Sequence, residues 1–467
     1  MTKQPPPEES DPELLLPPHT PITLLEPYPS STNKLTSFKF CLSLFLFGLL
    51  NNVLYVIIIS AALDLVPSDV PTGVILVADI TPSLLVKIGW PYFVQGKIRY
   101  THRILSCSAL SFAGMMVIVI FSSLPLRLVG ISLASASSGL GEMTFLQLTT
   151  RYKGQPGVSW FASGTGAAGV VGAALWWLLR HLGVPIGLGL SSILPICLSF
   201  TYFFLLPPPH QLTTPTLDDP MGRGEYAIVP EVDQPTALPV KAPELTFAEK
   251  LELAKPLLLP YMLPLFAVYF AEYTLTPITC SISLDKYRDR PYPCLSTSPT
   301  GIKPGLFTHL QNSTRLLSVL AVDLPGLIFV FLSRSSMAIF RFPALPRRLI
   351  PLPSLAQVLI LCTLLSEASR GWVSEVVPQA WVYLAIFAVI SLEGICGGLA
   401  YVSAYYWLGL DRHSLPHEKE FRIACVGFAD TFGILLASIF SSWLEPRLCD
   451  LQVSHGRTLC REVGAKH

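Results

Sequence analysis

The chain has 467 residues, 51% of them hydrophobic and only 13% charged, with a formal net charge of +1. Soluble domains carry about 25% charged residues, so composition argues against a cytosolic globular protein, and the lack of a basic field argues against nucleic acid as a partner. Ten cysteines are scattered without a CxxC or Cys/His spacing, so no metal and no cofactor is expected.

In chain order, residues 1–37 are Pro-rich and acidic and lack a basic stretch before a short apolar core, so they read as a disordered cytosolic tail rather than a cleavable signal. Within it Asp11, Leu15 and Leu16 match an acidic di-leucine sorting pattern, which implies trafficking adaptors as partners. Apolar runs near the ~20 residues needed to cross a bilayer then recur at about 38–62, 72–94, 103–123, 126–150, 157–180 and 186–206. Residues 207–255, rich in Pro, Asp, Glu and Thr, read as a disordered linker. Further runs follow at about 256–280, 312–334, 350–368, 378–408 and 422–444.

The expectation is an all-α polytopic membrane protein of about 11 transmembrane helices in two halves, 38–206 and 256–445, with a C-terminal tail at 446–467. Lys97, Arg99, Arg103, Arg151, Lys153, Arg341, Arg347, Arg348, Arg412 and Lys419 fall on one side of this scheme. By the positive-inside rule that side, with the tail and the linker, is cytosolic. Cys280 with Cys294, or Cys449 with Cys460, are candidates for a disulfide on an oxidising side.

Several spans hold polar residues that hydrocarbon penalises. A carboxylate there costs about 2.5–3.5 kcal/mol on insertion scales, yet Glu142, Glu272 and Glu393 each sit within an apolar run. The major-facilitator architecture lines its cavity with the first and fourth spans of each half. Here those spans carry Asn51 and Asn52, then Glu142, then Tyr269 with Glu272, then Glu393 with Tyr401. Asp79 and Lys87 share the second span at a spacing of about 12 Å and roughly 80° of rotation, too far apart to pair with each other. Asp430, in the last span, completes the charged set.

Gly164 to Gly169 spell G-x-G-x-x-G, but the apolar helical surroundings lack the strand and the acidic residue of a dinucleotide site. Small residues at this spacing instead permit close helix packing, with Ser163 and Thr165 available to donate hydrogen bonds to a ligand across the thinned contact. Nothing resembles a Walker loop, a nucleophile elbow or HExxH, so the chain does not read as an enzyme.

Gly48-Leu-Leu-Asn-Asn-Val-Leu-Tyr-Val, Ala78-Asp-Ile-Thr-Pro-Ser-Leu-Leu-Val-Lys and Ser137-Ser-Gly-Leu-Gly-Glu-Met-Thr-Phe-Leu resemble the battenin family. So do Ser163-Gly-Thr-Gly-Ala-Ala-Gly, Val268-Tyr-Phe-Ala-Glu-Tyr, Glu393-Gly-Ile-Cys-Gly-Gly-Leu-Ala-Tyr-Val, Glu420-Phe-Arg and Asp430-Thr-Phe-Gly-Ile. These stretches tag most of residues 38–445 in order. The resemblance implies a vacuolar or lysosomal membrane protein of major-facilitator type, linked to glycerophosphodiester efflux and, in fungi, to vacuolar pH and basic amino-acid balance. It fails between about Leu310 and Leu327. Plausible codons for that stretch, read one base over, give a family-like Phe-Lys-Thr-Leu-Arg-Asp-Tyr-Tyr-Pro-Phe-Trp-Gln. A shifted reading frame is therefore predicted, with the Asn312-Ser-Thr sequon as its by-product; transcript sequencing that returned the present frame would refute it.

The expected mechanism is alternating access, with the halves rocking about a midplane cavity in the bilayer. Glu142, Glu272 and Glu393 would couple protons or bind a cationic group, and Lys87 would favour an anionic group on a small-molecule substrate. The competing expectation is a non-transporting membrane scaffold that regulates vacuolar trafficking and pH through its tail and linker.

Overall fold

The computed structural model describes residues 34–65, 73–93, 99–152, 156–212, 247–284, 324–370, 378–410 and 416–454. The sorting pattern at Asp11, Leu15 and Leu16, the Asn312 sequon, Cys294, Cys460 and residues 310–323 lie outside them, as do most of the tail and linker.

Apolar sequence in lipid has to satisfy its backbone internally, which leaves the helix as the solution for a single segment. Before the linker these helices are α1 (Lys34–Leu65), α2 (Gly73–Phe93), α3 (Tyr100–Ile120), α4 (Leu124–Thr149), α5 (Gly157–Leu179), α6 (Val184–Ser191) and α7 (Leu194–Phe200). A Pro in the first turn starts α4, α6 and α7, where its missing N–H is no loss. Gly183, at φ 92°, makes the turn between α5 and α6, a conformation that a side chain disfavours. After the linker come α8 (Phe247–Leu257), α9 (Leu263–Leu284), α10 (Leu324–Arg334), α11 (Pro351–Arg370), α12 (Gln379–Leu410) and α13 (Pro416–Ser454).

All eleven predicted spans coincide with helix, the eighth over its last 11 residues. Eight helical stretches among the described residues are long and apolar enough to cross a membrane on their own composition. Helix α4 falls outside that group, its apolar run diluted by small polar residues. Large apolar side chains such as Phe204, Leu259, Leu355 and Leu359 face outward, as lipid-facing positions should.

Helix α1 packs on α5, and α4 packs on both α2 and α3; α9 packs on α11 and α13, and α10 on α12. The most extensive pairings that join the first set to the second are α2 with α13 and α5 with α10; α5 also meets α12, and α4 meets α13. The polar residues collect along these joins.

Candidate functional site

Lys87 is buried at the α2–α13 join. Its Nζ lies 2.7 Å from Glu142 Oε2 on α4 and 3.3 Å from Asp430 Oδ1 on α13. It also donates to Thr431 Oγ1 at 2.7 Å. One ammonium thus serves two carboxylates, and each carboxylate has further donors. Tyr401 Oη on α12 donates to Glu142 Oε1 at 2.8 Å, and the Thr431 amide donates to Asp430 Oδ1 at 2.6 Å. A buried ion pair persists only when its remaining lone pairs are satisfied in this way.

Arg334, at the end of α10, forms the second centre. Its Nη1 donates to Thr165 Oγ1 on α5 at 2.7 Å and its Nη2 to Tyr269 Oη on α9 at 2.6 Å. The guanidinium carbon lies 4.4 Å from the centroid of the Tyr401 ring, within cation–π range. Tyr401 therefore touches both centres, its hydroxyl on Glu142 and its ring under Arg334. Glu272, one turn beyond Tyr269, lies against Gly397, where a Cβ would stand 2.7 Å from Glu272 Oε2. The glycine leaves that carboxylate its room.

The other predicted site residues are placed as follows. Asn51 Nδ2 donates to the Ser138 carbonyl at 3.1 Å, and Asn52 Nδ2 to the Gly48 carbonyl at 3.0 Å within α1. Ser163 Oγ shares a hydrogen with Ser335 Oγ at 2.7 Å, and Thr165 donates to the Ala162 carbonyl at 2.8 Å. Both hydroxyls hold α10 and Arg334 in this arrangement. Glu393 is buried on α12, where its backbone carbonyl accepts from Gln357 Nε2 at 2.8 Å. Asp79 is buried among α1 to α4, away from the Lys87 contacts. The glycines at 164–169 are packing elements: a Cβ on Gly164 would meet Leu49 N on α1 at 2.9 Å, and one on Gly166 would meet Phe331 Cα on α10 at 3.0 Å.

Sequence reasoning did not single out Arg334 or Thr431. The polar cluster draws on α2, α5, α10 and α13 as well as on the expected cavity spans. The available signal for Arg334 was an arginine closing an apolar run between serines, which reads as an ordinary flanking charge.

A further network crosses the join near the starts of α3 and α13. Tyr100 Oη donates to Glu420 Oε1 at 2.7 Å, Gln147 Nε2 donates to the Glu420 carbonyl at 3.0 Å, and Arg103 Nη1 donates to Gln147 Oε1 at 3.0 Å. Arg151 covers the Tyr100 ring at 4.3 Å and Arg347 the Trp407 ring at 4.9 Å. Arg103 and Arg151, two of the basic residues assigned to one side by sequence, thus meet in this network.

The CLN3 protein family model matches residues 42–451. Protein BTN1 of Mycosarcoma maydis is 39% identical, covering 93% of this chain and 90% of that protein. Protein BTN1 of Yarrowia lipolytica is 38% identical, covering 89% and 95%. Among solved structures, a bacterial homologue of the iron transporter ferroportin in an outward-facing state matches with a TM-score of 0.51 at 14% identity, over 92% of this chain and 99% of that one. The human organic anion transporter MFSD10 matches with a TM-score of 0.50 at 13% identity, over 92% and 97%. At these identities the structures speak to fold, a major-facilitator-like helix bundle. The family match spans most of the sequence, so the chain belongs to the CLN3 family, a family of battenin-like membrane proteins.

Proposed function

We propose that this protein is a transporter of the vacuolar or lysosomal membrane that moves small polar metabolites, glycerophosphodiesters or basic amino acids, by alternating access. The observation that carries the reading is Lys87 on α2 held between Glu142 on α4 and Asp430 on α13. Buried charge in a membrane bundle is costly and is kept where it faces a pathway, and this cluster ties together helices that a rocking motion would part. Separating α2 from α13 breaks a charged contact that a substrate, or protons delivered to the carboxylates, can replace. Protonation of Glu142 or Asp430 frees Lys87 for an anionic group, with Arg334 as a second cation nearby; a cationic amino acid would instead engage the carboxylates. The tail and linker lie on the cytosolic side in this reading, where the acidic di-leucine pattern at Asp11, Leu15 and Leu16 would meet trafficking adaptors.

The test is uptake of glycerophosphodiesters and of arginine into proteoliposomes of purified protein, with and without an inward-acid gradient. Saturable flux that Glu142→Gln abolishes is the expected result. Folded protein that carries neither substrate would favour the scaffold.

A further inference from the structure

Asp79 is 2% exposed and lies two turns before Lys87 on α2. Among the described residues no cation pairs with it, and its Oδ2 has no hydrogen-bond partner. It lines its own cavity of about 10 Å³ between α1, α2, α3 and α4, walled by Asn51, Tyr55, Ser111, Ser135 and Ser138 among others. That is room for one water-sized occupant.

The serine hydroxyls of the wall narrow the kind of occupant. Ser111 Oγ donates to Ser137 Oγ at 2.9 Å, because the Ser137 hydrogen is already given to the Cys107 carbonyl at 2.7 Å. Ser138 Oγ donates to the Asn51 carbonyl at 3.3 Å, and Ser135 Oγ donates to the Asp79 carbonyl while accepting from the Ser83 amide. With their hydrogens committed elsewhere, these serines have only lone pairs left to offer, beside a carboxylate oxygen with no partner. A neutral water would solvate such a wall but leave its charge uncompensated in hydrocarbon, where that charge is costly. Carboxylate and hydroxyl oxygens suit hard cations. One carboxylate matches one positive charge, and the volume limits the ion to one no larger than water.

We propose that Asp79, with Ser111, Ser135 and Ser138, forms a binding site for a single small monovalent cation, Na⁺, separate from the Lys87 cluster, and that this ion couples to transport. The coupling rests on the transporter reading given above; the binding does not.

Binding is measured on the purified full-length protein in detergent, by scintillation proximity with ²²Na⁺ and by thermal unfolding in NaCl against matched choline chloride. Saturable ²²Na⁺ binding, competed by unlabelled Na⁺ and not by choline, is expected, together with a Na⁺-specific rise in Tm. Asp79→Asn should lose both while Glu142→Gln keeps both. Should Asp79→Asn fail to fold, Ser138→Ala serves instead, with weakened binding expected. Absence of saturable ²²Na⁺ binding to the wild-type protein overturns the proposal. So does a Tm that follows pH equally in Na⁺ and choline, which would make Asp79 a proton site only. Na⁺ binding without any substrate flux would leave the binding site standing and sink the transporter reading together with the coupling that rests on it.

Discussion

Lys87 shows how charge is kept in a place that disfavours it. Removing one partner of a buried pair typically costs about 3–5 kcal/mol, because the other charge stays behind. Lys87→Met strands Glu142 and Asp430 together, so its Tm should fall steeply. The triple variant with Glu142→Gln and Asp430→Asn should recover much of the loss, because neutral amides of similar shape no longer repel. Differential scanning fluorimetry in detergent reads this directly; a triple variant no more stable than Lys87→Met would show that the pairing is not what holds these helices. Arg334 has a different requirement, since two of its nitrogens and its planar face are in use at once. A lysine ammonium cannot span Thr165 and Tyr269 while covering Tyr401. Arg334→Lys should therefore lower Tm clearly, whereas Arg348→Lys, at an exposed position, should leave it within the experimental error. At this scale the sequence was readable in part. Glu142 stood out because hydrocarbon penalises it whatever its partners are. Its pairing with Lys87, and the tie from Lys87 to Asp430 across 343 positions, are tertiary facts that no local pattern encodes.

At the scale of elements, glycine decides how closely helices approach, and the kind of neighbour sets the cost of losing it. A Cβ on Gly164 would press on the α1 backbone, 2.8 Å from Phe45 C and 2.9 Å from Leu49 N, neither of which can move alone. Overpacking of this kind costs about 1–3 kcal/mol, so Gly164→Ala should destabilise the protein measurably. A Cβ on Gly397 meets the far end of the Glu272 side chain instead. Gly397→Ala should keep a near-native Tm yet displace Glu272, and the expected readout is reduced flux in the proteoliposome assay. Equal Tm losses for the two variants would contradict this distinction. The helices themselves were legible because ~20 apolar residues admit little else in a bilayer. Of the eighth, Leu324–Arg334 lies among the described residues, and Arg334, one of the better-anchored cations there, closes its apolar run.

Over the whole molecule, two sets of contacts hold the helices before the linker to those after it near the α2–α13 join: the Lys87 cluster, and the Tyr100, Glu420, Gln147 and Arg103 network at the helix ends. Weakening the second while leaving the first should loosen that end of the bundle selectively. Spin labels at positions 102 and 418 in Tyr100→Phe should report a broader and longer distance distribution than in the parent, and an unchanged distribution would assign Tyr100 to local packing. The joins also differ in mechanical character. Where α1 crosses α5 at Gly48 and Gly164, main chain lies against main chain, so strain at that crossing passes undamped and the pair turns as one lever. The α2–α13 join runs instead through the long, flexible chain of Lys87, reaching Asp430 on α13 and Glu142 on α4. Compliance at the α2–α13 join is therefore concentrated where its charges are, and a force that moves α2 against α13 is felt first by Lys87.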